Sequence, residues 1–120
     1  MSRFTRRIQR STIKISPDDL SEIHTHIQQV MTALGPNAKL AWVNTVGDPN
    51  DNFSTLNSDV NAAIESAVAS RPHSLLIDLA TYLTSISQPS YWVDRVHMTY
   101  SGYSKRNQHI AQKSIDAYYL

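Results

Sequence analysis

The residues best suited to chemistry are an aspartate and a histidine three positions apart, in Asp94-Arg95-Val96-His97. In a loop entering a helix, this spacing lets the Asp94 carboxylate fold back onto the Nδ1–H of His97. Such a contact leaves Nε2 free to accept a proton and stabilises the imidazolium that then forms. The pattern indicates the base and orienting carboxylate of a hydrolytic triad. The alternative is a surface aspartate beside a histidine that bonds only to backbone.

The pair follows a chain in which helix and strand patterns alternate. Ser16 is the expected N-cap of a first helix, Pro17 its first residue, and Gly35-Pro36 its end. Apolar residues at helical spacing support it: Leu20, Ile23, Ile27, Val30, Met31 and Leu34.

Two short apolar runs, Leu40–Val43 and Leu75–Leu79, are typical of buried parallel strands. Ser54 is the expected cap of a helix between them. Thr99 or Ser101 is the expected cap of a last helix that runs to about Tyr118.

The order helix–strand–helix–strand–helix predicts an α/β fold with a partial doubly wound parallel sheet, flavodoxin-like, in three α/β/α layers. Residues 16–120 would form this unit and residues 1–15 a basic N-terminal arm. Two strands are few, because stable sheets normally have three or more. An edge strand at Thr12–Ile15 would add one, and the pattern indicates part of a larger fold.

The length and composition of the chain limit the kinds of site and partner it can have. The 120 residues suffice for one domain, and the absence of cysteine excludes disulfides, thiol nucleophiles and cysteine-based metal sites. We expect no cofactor and no metal. No apolar run approaches the roughly 20 residues of a membrane span, and the net charge of +1 argues against nucleic acid as a partner.

The basic arm contains Arg3, Arg6, Arg7, Arg10 and Lys14. It has two readings, a site for phosphates or lipid head groups and a solvated terminus. No apolar segment of a secretory signal follows it, and the sequence does not indicate a cellular location.

The stretch Trp92–Tyr103 resembles the last conserved block of the SGNH (GDSL-type) hydrolases, Asp-x-x-His-hydrophobic-Thr-x-x-Gly-Tyr. Leu40–Thr45, Asn61–Ile64 and Leu76–Asp78 are similar to the strand, helix and strand that precede that block. The likeness covers about residues 18–118 and is greatest to O-acetyltransferase-like and acetylesterase-like members.

The resemblance implies an acyl-ester hydrolase or O-acyltransferase acting on an ester or an acetylated polysaccharide, with His97 as general base and Asp94 as its orienter. The family's Gly-Asp-Ser and Gly-x-Asn-Asp blocks, which carry the nucleophile and oxyanion donors, do not occur in these residues. The sequence starts about where the third block ends. Ser87, Ser90 and Ser101 follow no strand-to-helix turn, so we expect the chain to be inactive alone.

A second hypothesis is a small non-catalytic α/β binding or assembly module. Its incomplete sheet edge would pair with another chain, giving a homo- or hetero-oligomer. Asp78, at the end of the second strand, fits two roles: a residue facing a ligand crevice, or a cap for the following turn.

Overall fold

A computed structural model describes residues 16–50 and 54–120. The helices are α1 (Pro17–Leu34), α2 (Ser54–Ala69), α3 (Leu79–Ile86) and α4 (Tyr100–Tyr118); the strands are β1 (Leu40–Val43) and β2 (Ser74–Ile77); and a 3₁₀ turn spans Pro89–Tyr91. The basic arm and the edge strand expected at Thr12–Ile15 lie outside the described residues.

The two strands form a parallel sheet, with Leu40 opposite Ser74 and Val43 opposite Ile77. The N–H of Leu40 donates to His73 C=O (3.0 Å), and the N–H of Asn44 donates to Ile77 C=O (3.2 Å). Backbone groups of alternate residues point to opposite sides of a strand. The peptide groups of Ala41 and Val43 therefore face the outer edge of β1. The predicted α/β class is confirmed.

Helices cover both faces of this sheet. Trp42 and Leu76 pack against a cluster formed by α1 and α2, whose buried members are Ile27, Ala63, Ile64, Ala67 and Val68. Val43 packs against a second cluster, formed by Leu79, Leu83, Tyr91 and Met98. Since successive strand residues point to opposite faces, these clusters lie on opposite sides of β1.

Helix α3 differs from the sequence prediction, which extended the second strand to Leu79. The strand ends at Ile77 because Asp78 caps a new helix, accepting the N–H (3.1 Å) and the hydroxyl (2.7 Å) of Thr81. Leu79 and Leu83, four residues apart, are only 2% and 1% exposed. Burying two leucines stabilises this short helix by about 3–6 kcal/mol in total.

Most predicted helix ends are confirmed. Ser16 caps α1 by accepting the Asp19 N–H (3.2 Å), and α1 ends at Gly35, whose φ is 72°. Thr99, rather than Ser101, caps α4. The structure differs at Ser54, which is the first residue of α2 rather than its cap. Among the described residues, no helix is both long and apolar enough to cross a membrane.

Candidate active site

Asp94 and His97 are in direct contact, as their spacing predicts. Asp94 Oδ2 lies 2.8 Å from His97 Nδ1, and Oδ1 lies 3.0 Å from the same nitrogen. With the carboxylate on Nδ1, the ring nitrogen that remains available to a substrate or nucleophile is Nε2. The structure thus contains the pairing that a base and its orienter require, while their catalytic role stays a prediction.

Backbone amides fix the Asp94 carboxylate. Its Oδ1 accepts the N–H groups of Val96 (2.9 Å) and His97 (2.8 Å). These two bonds, followed by the bond to the His97 ring, lower the pKa of Asp94 to about 2. Asp94 is consequently ionised throughout the neutral range, and a full negative charge lies beside the imidazole.

The segment that carries the pair, residues 92–98, is a closed turn that we call the dyad turn. Val93 N–H donates to His97 C=O (2.8 Å), and Trp92 and Met98 form an antiparallel bridge. Gly102, in the first turn of α4, packs directly on the Tyr91 carbonyl and leaves no room for a Cβ. The glycine in the motif is therefore required by close packing behind the dyad turn.

The pair is open to solvent. The His97 side chain is 67% exposed and that of Asp94 is 52% exposed. Apolar residues around them are also exposed, namely Val93, Val96 and Tyr100. Acyl transfer benefits from fixed dipoles in a site that excludes water. The described residues do not enclose the Asp94–His97 pair in this way.

A cleft of about 710 Å³ lies at the carboxyl ends of β1 and β2. Asp48 connects it to the dyad turn, because Asp48 lines the cleft and its N–H donates to Arg95 C=O (2.8 Å). Asp94 and His97 are not among its lining residues. The lining side chains are mostly hydroxyls, amides and carboxylates, and include Asn57, Ser58, Glu65, Asp78, Thr81 and Thr84.

Asp78 is the cap of α3, one of its two expected roles, and it also lines the cleft. Burial raises its pKa, but hydrogen bonds from Asn44 and Thr81 outweigh that effect and hold the pKa below its ordinary value. The negative charge of Asp78 is therefore used to join β1 to α3.

The three serines close to the pair in sequence make no hydrogen bond to His97 in the described part of the chain. Ser87 Oγ accepts a hydrogen bond from the indole N–H of Trp92 (2.9 Å). The backbone carbonyl of Ser90 accepts one from the Thr99 hydroxyl (2.7 Å). Ser101 lies in the first turn of α4. Within the described part of the chain, no serine hydroxyl is hydrogen-bonded to His97.

Two asparagines that the sequence analysis did not single out organise the same edge of the sheet. Asn44, 7% exposed, bonds to Asp78 Oδ1 (2.9 Å) and accepts the N–H of Ala80 (2.9 Å). Asn61 bonds to both backbone groups of Thr45. The only available signal was that one asparagine directly follows a strand and the other lies on a helix face beside apolar positions.

Comparison with family models, with curated proteins and with solved structures finds no match to this chain. Among residues 16–50 and 54–120, no group of three histidine or acidic side chains is arranged to hold a metal ion.

Proposed function

We propose that this chain is the base-bearing, C-terminal portion of an SGNH-type acyl-ester hydrolase or O-acyltransferase domain. His97 would be its general base and Asp94 the residue that orients His97. The observation that carries the proposal is the 2.8 Å contact between Asp94 Oδ2 and His97 Nδ1. It occurs in a turn that is hydrogen-bonded to the loop after a parallel strand. The substrate class is an ester or an acetylated polysaccharide.

In this mechanism, His97 Nε2 takes the proton of a serine hydroxyl as the serine oxygen bonds to the substrate carbonyl carbon. The ionised Asp94 stabilises the imidazolium, which returns the proton to the leaving alcohol. Water or an acceptor hydroxyl then attacks the acyl-serine, again with His97 as base. The serine and the oxyanion donors would come from another segment, and the exposure of His97 leaves the ring accessible to them.

Hydrolysis of p-nitrophenyl acetate by the 120-residue chain tests the expected inactivity. We expect a slow reaction that does not saturate, since only free imidazole chemistry is available. His97→Ala should reduce it no more than His26→Ala, a matched change at an exposed histidine of α1. Saturable turnover that His97→Ala abolishes would place a nucleophile within this chain.

The catalytic role itself is tested by joining the chain to the polypeptide encoded directly upstream, if that sequence carries the Gly-Asp-Ser and Gly-x-Asn-Asp blocks. In the assembled protein, we expect His97→Ala and Asp94→Asn each to lower kcat by about 10⁴-fold or more. Losses below tenfold in both variants would show that the pair does not act as base and orienter.

The outer edge of β1 favours a second candidate function, a non-catalytic module that assembles through its sheet. The peptide groups of Ala41 and Val43 have no backbone partner among the described residues. Val30 and Leu34 of α1 are 44% and 40% exposed, so part of the apolar stripe of that helix is also uncovered. An edge of this kind can pair with a strand of a second copy.

Light scattering coupled to size exclusion tests this candidate. Ala41→Pro removes an N–H that β2 does not use, so the β1–β2 pairing should survive while outer-edge pairing is lost. The module predicts a dimer that Ala41→Pro converts to monomer and the matched Ala41→Ser does not. A wild-type monomer at all concentrations would refute it.

A further inference from the structure

In the loop that follows β1, residues 45–49, both backbone groups of the first residue bond to the Asn61 side chain of α2. The N–H of Thr45 donates to Asn61 Oδ1 (2.7 Å), and Asn61 Nδ2 donates to the Thr45 carbonyl (2.7 Å). The Thr45 hydroxyl donates to the same Oδ1 (2.9 Å). One carboxamide thus satisfies both backbone groups of a residue just beyond the strand.

This pairing has a simple physical basis. Thr45 continues the alternation of Ala41 and Val43, so its peptide groups face the outer edge of the sheet. Asn61 presents there the donor and the acceptor that a neighbouring strand would otherwise provide. An amide side chain is suited to this because it carries both groups in one plane, as a peptide does.

The other end of the loop touches the dyad turn. Asp48 N–H donates to Arg95 C=O (2.8 Å), and Arg95 lies between the two residues of the pair. Gly47 is buried against the same carbonyl, since a Cβ at this position would lie 2.7 Å from it. The loop therefore links α2 to the dyad turn through contacts at both of its ends.

We propose that Asn61 is a positioning residue for His97. By fixing Thr45, Asn61 holds the loop 45–49 in place at the carboxyl edge of the sheet, and this loop in turn holds the dyad turn through the Asp48–Arg95 hydrogen bond. Asn61 does not touch the pair and acts through Thr45, Gly47 and Asp48. The physical link stands on these contacts, while its consequence for catalysis rests on the proposed function.

NMR on the intact chain tests the link with Asn61→Ala. We expect hydrogen exchange at the Asp48 amide to rise at least tenfold relative to the Leu83 amide. The amide signals of Arg95 and Val96 should also move, because the Arg95 carbonyl loses its fixed donor, the Asp48 N–H. Asn37→Ala is the control, because Asn37 is exposed and precedes β1, at the opposite end of the strand from this loop, and it should leave both readouts unchanged. A folded Asn61→Ala protein with both readouts as in wild type would overturn the proposal.

Gly47→Ala provides a second test if the first variant does not fold. Its new Cβ meets the Arg95 carbonyl while Asn61 stays in place, so the same two readouts should change. Asn61→Asp keeps the acceptor for the Thr45 N–H but loses the donor to its carbonyl, and an effect between wild type and Asn61→Ala is expected. Wild-type readouts in either folded variant count against the proposal.

The failure of this inference and that of the proposed function are distinguishable. In the assembled protein, dependence of kcat on His97 with less than a twofold effect of Asn61→Ala would refute positioning and retain the function. The expected NMR changes, combined with activity that is insensitive to His97→Ala, would refute the function and retain the link.

Discussion

Asn44→Ala should destabilise the carboxyl edge of the sheet more than any other single change to an asparagine at that edge. Asn44 is 7% exposed and joins the end of β1 to the start of α3. Its Nδ2 donates to Asp78 Oδ1 (2.9 Å), and its Oδ1 accepts the Ala80 N–H (2.9 Å). The alanine variant loses both bonds and leaves the Ala80 amide without its acceptor.

The magnitude follows from the kinds of bond lost. A hydrogen bond to a charged group contributes about 1.5–3 kcal/mol and a neutral one about 0.5–1.5 kcal/mol. Water can reach the exposed Asp78 carboxylate and recover part of the first. We therefore expect the free energy of unfolding to fall by about 2–3 kcal/mol, and Tm by about 8–12 °C for a domain of this size.

The dependence on pH adds a test of sign. The pKa of Asp78 is lower in the folded protein than its ordinary value of 3.8. The charged carboxylate therefore contributes stability above pH 3.8, and this contribution is lost as pH falls through the lowered pKa. Without the Asn44 donor, the variant should lose less stability than wild type on acidification. Asn44→Asp places a second carboxylate beside Asp78, so its stability should instead rise as pH falls and one carboxylate protonates.

Urea unfolding followed by far-ultraviolet circular dichroism at pH 7, 5 and 3.5 measures these effects. Asn37→Ala, at an exposed asparagine between α1 and β1, is the matched control. If Asn44→Ala lies within 0.5 kcal/mol of that control at pH 7, the reasoning is refuted. A greater loss of stability on acidification in Asn44→Asp than in wild type would refute the expected repulsion between the two carboxylates.

Three further predictions concern single positions. Arg71 Nη2 donates to the carbonyls of Gly35 (2.6 Å) and Ala38 (2.7 Å), in the connection between α1 and β1. Arg71→Met should therefore lower the free energy of unfolding, measured by urea titration, by about 2–4 kcal/mol. Arg71→Lys should not restore the lost stability. Asp94 should titrate near pH 2 by carboxyl ¹³C NMR, and a midpoint above 3.5 would contradict its two amide bonds. Gly102→Ala should destabilise by about 1–3 kcal/mol despite alanine's helix propensity; a more stable variant would contradict the close packing on Tyr91.

The sequence predicted features whose causes are local. Ser16, Pro17 and Gly35 mark the ends of α1 because capping depends on residues within one turn. The Asp94–His97 contact was predictable for the same reason: the partners are three positions apart, and the amides of Val96 and His97 close the turn on the carboxylate. The α/β class follows from the alternation of helical and strand patterns.

The features that the sequence did not predict are of two kinds. Some depend on partners that are distant in the sequence, and others lie where a strand pattern and a helix-capping residue overlap. The run Leu75–Leu79 has the composition of one strand, and only the capping bonds of Asp78 divide it into a strand and the start of α3. Asn44 and Asn61 acquire their roles from partners 34 and 16 residues away. No spacing rule assigns such pairs, because the fold must bring them together first.

The order of the dyad turn does not depend on an intact active site. Two backbone amides bind the Asp94 carboxylate and the adjacent ring completes the contact, all within four residues. A chain that never met a substrate would form the same turn. A catalytic histidine differs from a structural one in the group that its free ring nitrogen, here Nε2, contacts. In this chain the His97 ring is largely exposed to solvent, beside the exposed apolar residues Val93, Val96 and Tyr100. Under the proposed function, His97 would therefore act as a base only when a polypeptide covers those residues and presents a hydroxyl to it.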